Sequence, residues 1–252
     1  LPYLIKVLGG ATLGSVVMGA SLAGWLAALI VLWRYEDGPF VYKRSAFAWS
    51  RVGRILRHRE TMLATGGYLG HMWELYAMWT WVPAFLAFSA SERVSSTSID
   101  VTAFAAIAAG GLGCVWGGLA ADRIGRAMVV NSAMTVSGIC CVVIGFLTSA
   151  PFWILAAVTI VWGFFVVADS AQFSAIVTEV APEDSVGTAL MIQTSLGFLL
   201  TMVTIQALPI AVDRVGWGWA FTLLSLGPAF GISSIRRLVR IRRLPSLDLL
   251  KG

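Results

Sequence analysis

Seven apolar runs, each roughly twenty residues long and set apart by short polar stretches, leave this chain few ways to fold. They cover residues 15–33, 62–88, 101–121, 127–148, 152–175, 187–211 and 217–235. Runs of this length match the roughly 30 Å hydrocarbon core of a bilayer. In lipid every backbone N–H and C=O must find its partner within the segment, so each run is expected to be an α-helix. The fold class expected is therefore all-α, a polytopic transmembrane helix bundle of about seven spans. Composition agrees: 58% of residues are hydrophobic and 12% are charged, and the mean hydropathy of +0.82 is far above that of a water-soluble core.

The placement of positive charge gives an orientation. Residues 34–61 hold seven Lys and Arg, the loop at 122–126 holds two, and the C-terminal tail holds six; Lys6, Arg93 and Arg214 fall on the other side. The positive-inside rule then puts the tail in the cytoplasm and the N-terminus outside, as an integral protein of the plasma (inner) membrane. The net charge of +5 is accounted for by anionic lipid, and no free basic helix interleaved with aromatics offers itself to a nucleic acid. Cys114, Cys140 and Cys141 all lie within apolar runs, where they act as small packing residues. Two histidines, His58 and His71, are too few for a metal-ligand cluster or a nucleophile–base pair, so no enzyme, metal or cofactor is expected. The chain opens on Leu1, and is expected to be a piece of a longer protein.

Between the third and fourth runs stands Gly118-Leu119-Ala120-Ala121-Asp122-Arg123-Ile124-Gly125-Arg126. Asp122 can cap backbone amides, and Arg123 and Arg126 can reach headgroups or a neighbouring acid. This loop resembles the signature of the major facilitator superfamily, which runs glycine, three mostly apolar residues, aspartate, a basic residue, any residue, glycine, arginine and a further basic residue. Ala127 departs from the last position. The long basic stretch 34–61 is similar to that family's central linker, and the signature follows the second helix after it. The chain thus resembles the sixth helix (1–33), the linker (34–61), the six-helix C-terminal half (62–238) and a cytoplasmic tail (239–252). The resemblance implies alternating access about a midplane site, a missing N-terminal half as partner, and a conformational latch made by Gly118, Asp122, Arg123, Gly125 and Arg126. The stretch Ala181-Pro182-Glu183-Asp184-Ser185-Val186-Gly187 resembles the family's loop before its eleventh helix, with Val186 where members often carry arginine.

Within the linker, Phe47, Trp49, Val52, Ile55 and Leu56 recur among arginines over Ser45–Glu60, the pattern of an interfacial helix. Polar groups inside the runs point to chemistry, since charge in lipid is costly and usually faces a cavity or a partner. His71 and Glu74 are one helical turn apart, with Trp73, Tyr76, Trp79 and Trp81 close by as cavity walls. Glu74, assisted by His71, is expected to couple protons, with Asp169, one turn from Gln172, as second candidate. The alternative is that these groups only tie helices together. Gln193, Thr194, Gly197 and Thr201 are read as one polar face of the sixth run. The function expected is secondary active transport of a small solute with a coupled proton across the lipid bilayer. The alternative is a seven-helix receptor or sensor; Lys6, Lys43 and Lys251 all lie outside the runs, which excludes a retinal Schiff base.

Overall fold

The computed structural model describes residues 13–36, 48–90 and 94–248. Lys6, Lys43, Phe47, Arg93 and Lys251, and the corresponding parts of the expected first span, linker, interfacial helix and tail, lie outside the described residues. The chain divides into two units, 1–46 and 47–252. The described part of the first holds one helix, α1 (Leu13–Arg34), in which glycine and serine are the only residues besides apolar ones before the closing Arg34. A helix apolar on every side has no place in water.

The second unit is built from α2 (Trp49–Arg57), α3 (Arg59–Ala90), α4 (Ser96–Ile124), α5 (Arg126–Val143), α6 (Phe152–Ala168), α7 (Ser170–Val180), α8 (Val186–Val215), the single turn α9 (Trp217–Ala220) and α10 (Leu226–Asp248). The described residues contain no strand. Ser95 caps α4 by accepting from the Ser98 amide at 3.2 Å. Gly125, at φ 86°, ends α4 and starts α5 in one residue, a left-handed conformation that favours glycine. Gly216, at φ 72°, does the same after α8.

Among the described residues, six helical segments are long and apolar enough to cross a membrane: Val17–Arg34, Ser96–Ile124, Arg126–Leu147, Phe152–Val180, Glu183–Val215 and Trp217–Arg242. They match six of the seven expected runs. The run at 62–88 is helical throughout, but α3 is not among the six. Its 32 residues would extend about 48 Å, so length is not what sets it apart. Its Gly, His, Glu, Trp and Tyr lower its apolarity, and its surroundings explain why it tolerates them: α3 packs against α4, α6, α7, α8 and α10. The helix enclosed by protein is the one that need not suit lipid.

Two features lie beyond what the runs conveyed. At Asp169 a turn separates α6 from α7, within a Phe152–Val180 segment that is still long and apolar enough to cross as one. The described part of the stretch from 239 is helical to Asp248. The short amphipathic helix in the linker is observed as α2, which buries Ile55 against the bundle and ties Arg54 Nη1 to Asp184 Oδ2 at 2.7 Å.

The described residues of the second unit form two apolar clusters. One gathers Leu75, Phe85, Trp162, Leu208 and Phe221; the other gathers Ile55, Val130, Phe173, Ile192 and Ile235. Along α3, Ala64 and Tyr68 belong to the second and Leu75 to Leu86 to the first, with His71 and Glu74 in the interval. Small residues bring the helices close there. A Cβ on Gly70 would strike the Gly227 carbonyl of α10, and one on Gly117 of α4 would strike the Ala168 carbonyl of α6.

Candidate functional site

His71, Glu74 and Asp169 are 3%, 1% and 1% exposed, so three titratable side chains are sealed between the apolar clusters. A bare charge here would be costly, and each group has found polar company. Trp162 Nε1 donates to Glu74 Oε1 at 2.5 Å and Cys141 Sγ donates to the same oxygen at 3.1 Å. Ser137 Oγ donates to Glu74 Oε2 at 3.0 Å. The carboxyl of α3 is thus held by two residues of α5 and one of α6, all neutral. No lysine or arginine touches it among the described residues.

His71 turns away from Glu74. A three-residue step rotates a side chain by about 60° from its neighbour, enough to aim the imidazole at the α6–α7 break instead of at α5. There His71 Nδ1 lies 2.9 Å from Asp169 Oδ1, within ion-pair distance though without hydrogen-bond alignment, and Nε2 lies 3.1 Å from Ser170 Oγ. The Phe173 ring flanks the imidazole at 5.3 Å. The expected assistance of Glu74 by His71 is therefore replaced by two adjoining clusters, Glu74 with its three donors and His71 with Asp169 and Ser170.

Gln172, expected beside Asp169, points elsewhere. Its Oε1 accepts from Arg126 Nη1 at 3.1 Å, while Arg126 Nε donates to Glu179 Oε1 at 2.7 Å. Arg126 thereby fastens the start of α5 to one face of α7, at two residues about two turns apart. It is the one residue of the signature loop that does so. Asp122 and Arg123 are exposed and have no polar partner among the described residues, and a Cβ on Gly118 would meet nothing within 4 Å. The adjacent Gly117 carries the close packing. Arg242 Nε reaches Glu60 Oε2 at 3.3 Å, extending this charged end across α10 and α3.

The aromatic wall divides as well. Trp73 Nε1 donates to the Leu223 carbonyl at 3.1 Å and Trp81 Nε1 to the Ile205 carbonyl at 2.9 Å, so both indoles brace helix pairs. Tyr76 is half-buried and packs on Trp79 and Phe198 at 5.4 and 5.6 Å. On α8, Gln193, Gly197 and Thr201 share a buried face with Thr204 and Leu208, whereas Thr194 is exposed. Gln193 is 0% exposed, and neither its Oε1 nor its Nε2 has a hydrogen-bond partner among the described residues. That is costly for an amide.

Ser137 and Trp162 were not singled out from the sequence, and Cys141 was read there only as a packing residue. A signal existed for Trp162: an indole N–H in an otherwise apolar run needs an acceptor. Nothing in the sequence linked it to Glu74, 88 positions away. No group of three or more His, Cys, Asp or Glu among the described residues is placed to hold a metal ion.

Fold and cluster together define an all-helical protein with apolar helices suited to a membrane and a sealed acid–imidazole core. No protein-family model matches the chain, and no curated protein matches it.

Proposed function

We propose that this chain is the C-terminal half of a secondary transporter that moves a small solute across the plasma membrane by alternating access, coupled to a proton. One observation carries the reading. Glu74 sits on the most enclosed helix of the bundle, shut from solvent and held by neutral donors alone. Acids placed so within membrane helices are the usual elements of proton pathways, because their cost must be repaid by function. When helices part, the carboxyl would exchange its three protein donors for water and give up or take on a proton.

The His71–Asp169 pair adds a second site next to the first, at the only described interruption of the Phe152–Val180 segment. Motion of α7 against α6 would alter that pair directly. Tyr76 and Gln193 are the better candidates to meet solute, since Trp73 and Trp81 are committed to bracing. The unpaired amide of Gln193 supports a polar ligand or a helix of the N-terminal half as its partner. Arg126, with Gln172 and Glu179, is the latch in this reading.

The test is to reconstitute the chain with its N-terminal half in liposomes holding a pH-sensitive dye and to add solutes of several classes in turn. Solute-dependent proton movement is expected for one class. Binding of a solute with no movement of solute or proton would favour the receptor reading.

A further inference from the structure

Where α4 passes into α5, α7 ends and α10 runs outward, the structure has a pocket of about 820 Å³. Its inner wall is apolar, with Ile176 and Val180 from α7 and Leu238 from α10. Its charged groups are one acid and four arginines. Glu179 of α7 is engaged by Arg126 of α5 at 2.7 Å, and Arg242 of α10 by Glu60 at 3.3 Å. Arg236 and Arg240 form no ion pair among the described residues, and α4 contributes only the uncharged Ile124 and its cap Gly125. These two free guanidinium groups lie four residues apart, on one face of α10.

Guanidinium groups recognise phosphate through paired N–H donors. An apolar wall beneath them selects an anion that carries a hydrocarbon body. The pocket also lies at the ends of Ser96–Ile124, Arg126–Leu147, Phe152–Val180 and Trp217–Arg242, where segments of this kind would leave the bilayer. We propose that it binds the phosphate headgroup of an anionic phospholipid, whose acyl chains follow the apolar wall toward the membrane. The proposal rests on the membrane-spanning reading of these helices but not on transport.

The chain in detergent would be titrated with short-chain phosphatidylglycerol and with phosphatidylcholine of equal chain length, and bound lipid counted by native mass spectrometry. The expected result is about tenfold preference for phosphatidylglycerol, with Arg236→Gln and Arg240→Gln each reducing the ratio about fivefold. Arg237→Gln, on the same helix but outside the pocket lining, is expected to change it less than twofold. Equal binding of the two lipids, or equal loss in all three variants, would overturn the proposal. So would competition by inorganic phosphate or glycerol 3-phosphate at the same concentrations as the lipid, which would assign the arginines to a soluble phosphate. Flotation with phosphatidylcholine vesicles addresses the membrane reading by itself. A chain that floats but shows no lipid preference loses the pocket alone, and one that stays in the aqueous fraction loses both.

Discussion

Glu74 accepts from one indole, one hydroxyl and one thiol, and these three differ in how much they should matter. Removing a donor to a buried acid leaves the acid under-solvated, at a cost of about 1–3 kcal/mol. Trp162→Phe keeps an aromatic ring against Phe221, 5.4 Å away, and deletes only the N–H. It is expected to lower unfolding free energy by about 2 kcal/mol, and Cys141→Ala by less, because a thiol is a weak donor. Thermal melts of the two variants in one detergent would check the order. The sequence identified all three titratable groups because charge inside an apolar run stands out in one dimension. Their pairing was not legible: His71 and Glu74 looked like partners by spacing, while the structure turns them toward different helices. Which acid a histidine meets is decided by neighbouring helices, and no local pattern encodes those.

The helices themselves were legible nearly to their ends, because an apolar run sized to a bilayer has one folded solution. α3 was legible as a helix, and what stayed hidden was its enclosure. Apolarity measures exposure to lipid, and a helix surrounded by five others escapes that demand. The break at Asp169 was equally hidden, since Ser170 and Gln172 read as ordinary helix. Packing between elements gives a sharp prediction from two adjacent glycines. Gly117→Ala would push α4 off the Ala168 carbonyl and is expected to cost about 1–3 kcal/mol. Gly118→Ala meets open space and should raise stability by up to about 1 kcal/mol through helix propensity. Melts of the pair would contradict this packing if the two shifts had the same sign.

The docking of α2 should respond to acid. The Ser185 hydroxyl first, and then Arg54, hold the Asp184 carboxyl below its ordinary value. A depressed carboxyl contributes stability above its unfolded value and loses it as pH falls through the lower folded one. Deuterium uptake across 49–57, corrected for intrinsic rate, is therefore expected to rise as pH drops below about 4. Asp184→Asn should give the higher uptake at all pH values and remove the acid step.

For the whole molecule, the sequence conveyed a membrane bundle and a charged end, and the structure supplied the connection between them. Arg126 grips α7 at Gln172 and Glu179, and α7 starts directly after Asp169, the residue that pairs with His71. Movement at the charged end would be felt at the buried acids through that one short helix. The latch pair is about half exposed, so breaking it should cost little stability, within about 1 kcal/mol. Arg126→Gln is expected to leave the melt nearly unchanged while altering the transport rate severalfold, a split that a purely structural contact would not give.

The central claim is that Glu74 carries the coupled proton. The most direct measurement compares two modes in liposomes for wild type and Glu74→Gln, with the chain joined to its N-terminal half. One mode is solute accumulation driven by a pH gradient, and the other is exchange of solute at equal pH. Glutamine keeps an oxygen for Trp162 and Cys141, so the variant should fold. The account predicts that accumulation is lost and exchange persists. Accumulation retained in the variant would contradict it and leave Glu74 as a tie between helices.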